Sequence, residues 1–236
     1  MICITGAGGY LGTVLVRYLL EHTHEDLSLL DRFDHGVQPL LGILRPEDFS
    51  RVTLRRGDVR DPSTVEAASA GAHRIIHLAG IVGYPACDAD PQDADSTNVE
   101  GTRMVCATRI PVVFASTGSC YGKVEGVADE STPLSPLTRY GRNKAEAEQI
   151  VLYMKGVILR FATLFGASAR MRWDLLPHDF CRKGVQGAIQ LFEADARRTF
   201  LHVEDAARAL EMGMRLPSGV WNVGDASLNW SKRKLA

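Results

Sequence analysis

The sequence predicts a doubly wound α/β fold, a parallel sheet with helices on both faces. Short apolar runs of strand length alternate with amphipathic segments of helix length. The first apolar run opens directly into a glycine-rich turn. The 236 residues, 45% of them hydrophobic, suffice for one large core with a small appendage.

Each element follows from its residues. Ile2–Thr5 is a short apolar strand, and the turn Gly6–Gly12 leads into a helix over Tyr10–His22. In that helix Leu11, Val14, Leu15, Tyr18 and Leu19 recur at helical spacing. Leu27–Leu30 is a second strand ending at Asp31. Val52–Arg56 is a third, and Arg74–Leu78 a fourth. The loop Tyr84–Asp95, rich in Asp, Pro and Ala, is expected near an active site. Asn98–Thr108 reads as helix and Val112–Ala115 as a fifth strand, ending at Ser116-Thr117. Tyr140–Met154 is a long amphipathic helix, and Gly156–Arg160 begins a sixth strand. Beyond it the pattern is less regular: an apolar helix around Leu175–Gly187, a strand at Phe200–Val203, a helix over Glu204–Arg215 and a last strand at Val220–Gly224. No repeat or low-complexity linker interrupts the chain.

Composition excludes several function classes. The net charge is -1 and the basic residues are scattered, so no basic field attracts nucleic acid. Cys3, Cys87, Cys106, Cys120 and Cys181 are odd in number and contain no C-x-x-C pair. They read as free thiols in a reducing compartment, with no metal site. No apolar run approaches a membrane span. Met1–Thr5 already reads as strand, so no signal peptide is expected ahead of it, and a cytoplasmic protein without membrane partners is the expectation.

The turn carries the first chemistry. Gly6, Gly9 and Gly12 are spaced three apart between a strand and a helix start. Glycine lets a backbone turn tightly against a pyrophosphate, and a helix N-terminus offers free N–H groups and a positive dipole end. Asp31 lies about 20 residues on, where a carboxylate binds a ribose 2′-hydroxyl and repels a 2′-phosphate. NAD is therefore favoured over NADP, with Arg32 as the residue that would accept such a phosphate. Asp58, at a strand end, reads equally as an adenine contact or a loop cap.

Tyr140 and Lys144 carry the second. Four residues apart, they share one helix face. A free phenol has a pKa of about 10, and a neighbouring ammonium, like an oxidised nicotinamide, is expected to lower it. Tyr140 would then take the proton of a substrate hydroxyl as hydride leaves carbon. Thr117 would hydrogen-bond the same oxygen, and Lys144 would also anchor the nicotinamide ribose. Cys120 reads as packing beside Tyr121. His202 with Asp205 reads as a helix-entry device, and His178 as an uninformative helix-face residue. Arg170, Arg172, Arg197 and Arg198 are candidates for diphosphate oxygens, Arg172 and Arg198 first.

Taken together, the chain resembles an extended short-chain dehydrogenase/reductase of the NAD-dependent epimerase/dehydratase family, acting on nucleotide sugars. The resemblance rests on Thr5–Gly12, Asp58-Val59, His77–Gly80, Asn98–Thr102, Ser116–Gly122, Tyr140–Lys144, Leu159–Gly166, Phe200–Asp205 and Asn222–Gly224. It implies a Rossmann domain over 1–166, rejoined by about 199–225, and a substrate lobe from 167–198 and 226–236. It implies Thr117, Tyr140 and Lys144 as the catalytic group. The implied NAD contacts are Gly6, Gly9, Tyr10, Leu11, Gly12, Asp31, Arg32, Asp58, Val59, Leu78, Ala79, Gly80, Asn98, Ala115, Tyr140, Lys144, Phe161 and Ala162. Thr117, Thr163, Arg172 and Arg198 are implied substrate contacts, and a homodimer through the helices at Asn98 and Tyr140 is implied as well.

Two departures bear on the reaction. Dehydratases of the family place Asp-Glu after the catalytic hydroxyl, and related decarboxylases keep a Glu at the second position; here the residues are Gly118-Ser119. The site therefore resembles an epimerase or keto-sugar reductase. Family members also continue beyond the Asn-Val-Gly stretch, whereas this chain stops at Ala236, so a fragment or a degenerate member is expected, with a truncated substrate lobe. The expectation is an NAD-dependent nucleotide-sugar epimerase working through a transient keto-sugar. The alternatives are an NAD(P)H-dependent keto-sugar reductase and an idle NAD-binding sensor or scaffold.

Overall fold

The computed structural model describes all 236 residues. In chain order the elements are β1 (Ile2–Thr5), α1 (Tyr10–His22), β2 (Leu27–Asp31), the one-turn α2 (Gln38–Leu41), β3 (Val52–Arg56), α3 (Pro62–Ser69) and β4 (Arg74–His77). Then come α4 (Tyr84–Ala89), α5 (Pro91–Asp95), α6 (Gly101–Ala107), β5 (Val112–Thr117), α7 (Arg139–Tyr153), β6 (Val157–Phe161) and β7 (Thr163–Phe165). The chain ends with α8 (Leu176–Val185), β8 (Arg197–His202), α9 (Val203–Gly213), β9 (Gly219–Val223), β10 (Asp225–Ser231) and α10 (Lys232–Leu235).

Seven strands form one sheet in the order β3-β2-β1-β4-β5-β6-β9, and every pairing is parallel. The strand order reverses between β1 and β4. Ligands of open α/β sheets bind at such a switch point, beyond the carboxyl ends of the strands. The predicted α/β class is the observed one.

Each face of the sheet carries its own core. On one side Leu15, Val16 and Leu19 of α1 and Ala206, Ala207 and Leu210 of α9 pack on Ile2, Ile4, Leu29 and Leu159. On the other side Val65 of α3, Val105 of α6 and Ala147 and Val151 of α7 pack on Leu30, Ile75, Phe114 and Ile158. The central strands are buried on both faces, which is why they read as continuous apolar runs.

Several boundaries differ from the sequence expectation. The predicted helix over Asn98–Thr108 is two pieces: a π turn at Ser96–Glu100, then α6. The short passage into β5 is made by Arg109 at φ 61°, a left-handed residue that turns the chain without a loop. The expected loop Tyr84–Asp95 is helical in two short turns, each opened by a proline. β8 pairs with β7 and β10 in a separate three-stranded sheet beside the main one. β10 was not expected as a strand, because its register shifts between Asp225 and Asn229 and breaks the alternation.

Candidate active site

The glycine turn lies at the switch point. Gly6 has φ +74°, and a Cβ there would meet the Ala79 backbone nitrogen at 2.6 Å. A Cβ on Gly12 would meet the Gly6 carbonyl oxygen at 2.3 Å. Both positions therefore require glycine for close packing of turn, helix and β4 end. Gly9 is the N-cap of α1 and offers no side-chain cap, so the first N–H groups beside Tyr10 and Leu11 keep their positive end free for an anion.

Asp31 closes β2 beside this turn. Its Oδ2 accepts the Gly8 N–H at 2.9 Å and its Oδ1 the Phe33 N–H at 2.7 Å. Arg32 lies among three carboxylates, Asp34 at 2.7 Å, Asp93 at 3.4 Å and Asp58 at 3.6 Å. That setting is hostile to a 2′-phosphate. Asp58 is gripped by Arg60, whose Nη2 donates to Oδ2 at 2.5 Å, and these bonds hold its carboxyl below the ordinary range. Val59 is buried against Gly101.

His77 ties the β4 end to the turn. Thr102 gives its hydroxyl proton to the Asn98 carbonyl at 2.7 Å, so it accepts from His77 Nε2–H at 3.0 Å. His77 Nδ1 then accepts from the Thr5 hydroxyl at 2.6 Å. Burial lowers the His77 pKa to about 3, so the imidazole stays neutral. The bond from Leu78 N–H to Thr5 O, at 3.0 Å, sets Leu78–Gly80 along the turn. Asn98, in the π turn, accepts the Ile81 N–H at 2.8 Å and donates to the Ile81 carbonyl at 3.0 Å. A Cβ on Gly80 would meet Asn98 Oδ1 at 2.7 Å and Lys144 Nζ at 4.0 Å, so Asn98 and Lys144 flank that glycine.

Tyr140, Lys144 and Thr117 come from two elements. Thr138 caps α7 by accepting the Gly141 N–H at 3.1 Å, which starts the helix just before Tyr140. Lys144 Nζ donates to the Ala115 carbonyl at 2.8 Å and lies 4.3 Å from the centre of the Phe114 ring. Burial lowers the Lys144 pKa to about 8. Thr117 Oγ1 accepts the Ser119 N–H at 3.1 Å, which leaves its own proton to donate.

The phenol itself departs from expectation. Burial raises the Tyr140 pKa, and the cation that opposes this is Arg172. The Thr117 hydroxyl opposes the rise in the same sense, more weakly. The predicted lowering by Lys144 is not found: the groups that oppose burial of the phenol are Arg172 and Thr117, while Lys144 turns to the Ala115 carbonyl. Cys120 is buried and its thiol is pushed up to about 11, so it stays protonated.

A buried network that the sequence reading missed underlies this group. Arg160 donates to both oxygens of Glu148, and Ser116 donates to Glu148 Oε1 at 2.5 Å. Arg160 Nη1 also donates to the Tyr121 hydroxyl at 2.8 Å, which donates to Asn222 Oδ1 at 2.7 Å. The signal was present: Glu148 follows Lys144 by one more helical step of four.

The remaining candidates divide. Arg172 extends from the loop before α8 to donate to the Val82 carbonyl at 3.4 Å, and it also pairs with Asp174. Thr163 opens β7, half-buried, and Ala162 N–H donates to Val223 O at 2.9 Å beside Phe161. Arg198 is exposed on β8 opposite Trp230, and Arg197 turns to Asn229. Arg170 bonds the Met171 carbonyl. His202 caps α9, as expected of a helix-entry device. His178 is buried and doubly hydrogen-bonded, so the residue read as an uninformative helix-face position has a defined structural place. No helix is long and apolar enough to cross a membrane.

The profile of the NAD dependent epimerase/dehydratase family matches residues 2–224. The chain belongs to this family. Among relatives of the family protein, the dTDP-glucose 4,6-dehydratase of Streptomyces antibioticus is 30% identical over 164 residues, 64% of this chain and 48% of its own. The human 3 beta-hydroxysteroid dehydrogenase type 7 is 36% identical over 214 residues, 81% of this chain and 56% of its own. The chain thus spans about half the length of both. An uncharacterized UDP-glucose epimerase of Bacillus subtilis is 30% identical over 234 residues, 89% of this chain and 71% of its own. Among solved structures, MoeE5 in complex with UDP-glucose and NAD superposes with a TM-score of 0.84 at 25% identity, covering 99% of this chain and 79% of that one. The family is NAD-dependent.

Proposed function

We propose that this family member is an NAD-dependent epimerase of a nucleotide sugar, working through a transient keto-sugar. The observation that carries the reading is the packing of the Tyr140–Lys144 turn of α7 on the end of β5, Lys144 on the Ala115 carbonyl and Gly141 against the Ser119 carbonyl next to Thr117, with Gly118-Ser119 offering no carboxyl for elimination. The relatives supply the substrate class: MoeE5 was solved with UDP-glucose.

The residues present fit a dinucleotide. Gly6 and Gly12 leave room that a Cβ would fill, the N-terminus of α1 would meet the pyrophosphate, and Asp31 would take the ribose hydroxyl. When bound, NAD supplies a hydride acceptor that can return the hydride, so no net oxidation results. Tyr140 takes the proton from the sugar hydroxyl and gives it back after the keto-sugar has turned. Thr117 donates a hydrogen bond to that same oxygen. Lys144, anchored on Ala115, would offer its remaining donors to the nicotinamide ribose. Arg172 supplies the positive charge that favours the phenolate.

The test is incubation of the protein and NAD with a panel of UDP- and dTDP-hexoses. The reading expects interconversion of two epimers with no accumulation of reduced nicotinamide. Stoichiometric consumption of reduced cofactor by a keto-sugar would replace it with the reductase. NAD binding without turnover across the panel would replace it with the idle sensor.

A further inference from the structure

We propose that His178 is a positioning residue that sets Arg172 at the sugar site and couples it to the glycine turn. The proposal rests on the nucleotide-sugar reading above.

His178 lies near the start of α8 and is buried. Its Nε2 accepts the Gly166 N–H at 3.1 Å. An acceptor nitrogen carries no proton, so Nδ1 holds it and donates to the Arg172 carbonyl at 2.7 Å. One neutral imidazole thus pins both ends of the segment 166–172. The guanidinium of Arg172 leaves that pinned end for the Val82 carbonyl, where its Nη2 lies 3.0 Å from the Cβ position of Gly83, and its charge reaches the Tyr140 phenol.

The same imidazole meets the cofactor side. The Tyr10 ring packs edge-on against it at 5.7 Å, and the Tyr10 hydroxyl donates to the Gly166 carbonyl at 2.9 Å. Ser168, inside the pinned segment, donates to the Tyr10 carbonyl at 2.8 Å and pairs with Thr13 at 2.9 Å. Trp173 closes the other side at 6.4 Å. The first turn of α1 and the Arg172 segment are therefore one hydrogen-bonded unit with His178 at its centre. Arg172 is a lever whose fulcrum is the imidazole.

The test uses the full chain. His178→Ala is expected to raise the KM for the nucleotide sugar by about tenfold, the scale of one to two ordinary hydrogen bonds, and to move the pH profile of kcat to higher pH, because a displaced Arg172 favours the Tyr140 phenolate less. In an Arg172→Ala background the same substitution is expected to add nothing, because its effect passes through Arg172. His178→Asn keeps the donor to the Arg172 carbonyl and is expected to recover most of the affinity. Additive effects in the double variant, or an unchanged KM, would overturn the proposal. Nitrogen NMR of the wild-type imidazole decides the tautomer without any substrate: Nδ1–H is expected, and Nε2–H would overturn the strut even if the sugar reading stands. Failure of the wild-type protein to bind any nucleotide sugar, with Nδ1–H observed, would overturn the role in sugar binding and the functional reading together while leaving the strut itself standing.

Discussion

Arg160 holds Glu148 by both carboxylate oxygens, Nε to Oε1 at 3.0 Å and Nη2 to Oε2 at 2.6 Å, where Glu148 has no solvent exposure. The pair joins α7 to β6 beneath the Tyr140–Lys144 face. Paired burial raises the Arg160 pKa through its bonds to Glu148, against the opposing effect of desolvation. Removing one partner strands the other charge. Arg160→Met is expected to destabilise the fold by about 3–5 kcal/mol, read from the urea midpoint. A loss under about 1 kcal/mol would show that the pair is not the buried ion pair described.

Gly12 tests the turn. Its missing Cβ leaves room for the Gly6 carbonyl, which a methyl would approach to 2.3 Å. Gly12→Ala is expected to cost about 1–3 kcal/mol and to weaken NAD binding, because the turn must open. Calorimetric unfolding with and without NAD checks both. Unchanged stability together with unchanged affinity would contradict the packing argument.

Asp31 and Arg32 test cofactor choice. Asp31 presents a carboxylate at the turn, and the Arg32 guanidinium is occupied by Asp34, Asp58 and Asp93. Titration calorimetry is expected to show tighter binding of NAD than of NADP. Asp31→Ala is expected to weaken NAD by about tenfold, the scale of a charge-assisted hydrogen bond. Tighter NADP binding by the wild-type protein would contradict this account.

Lys144 gives a pH signature. Its folded pKa is depressed from 10.5 to about 8 by burial. Between those values the unfolded chain binds the extra proton, so this residue favours the fold more as pH rises. Its contribution is fully present above the unfolded value and is lost as pH falls through about 8. Relative to Lys144→Met, the wild-type protein is expected to gain about 3 kcal/mol across that window. Parallel stability curves for the two proteins would contradict a buried ammonium.

The fold was legible because its signals are local. The apolar runs of β1, β2, β4 and β6, the glycine spacing and the Tyr140–Lys144 step each sit within a few residues. The predicted helix at Tyr140–Met154 differs from α7 by one residue at each end. What was missed depends on contacts distant in sequence. Arg160 meets Tyr121 across 39 positions, and Tyr121 meets Asn222 across 101. No periodicity announces such pairs. The direction of the Tyr140 shift was missed for the same reason, since burial and Arg172 are tertiary facts. His178 looked like a helix-face residue because α8 is short and amphipathic, yet its side chain turns inward to the segment 166–172.

In the proposed reaction Tyr140 moves the proton of the sugar hydroxyl. The most direct test of this step is the turnover of Tyr140→Phe beside its NAD affinity, with the epimerised nucleotide sugar as substrate. In that variant kcat is expected to fall by about 100- to 10,000-fold while NAD affinity stays at the wild-type value. Turnover retained at the wild-type rate would contradict it.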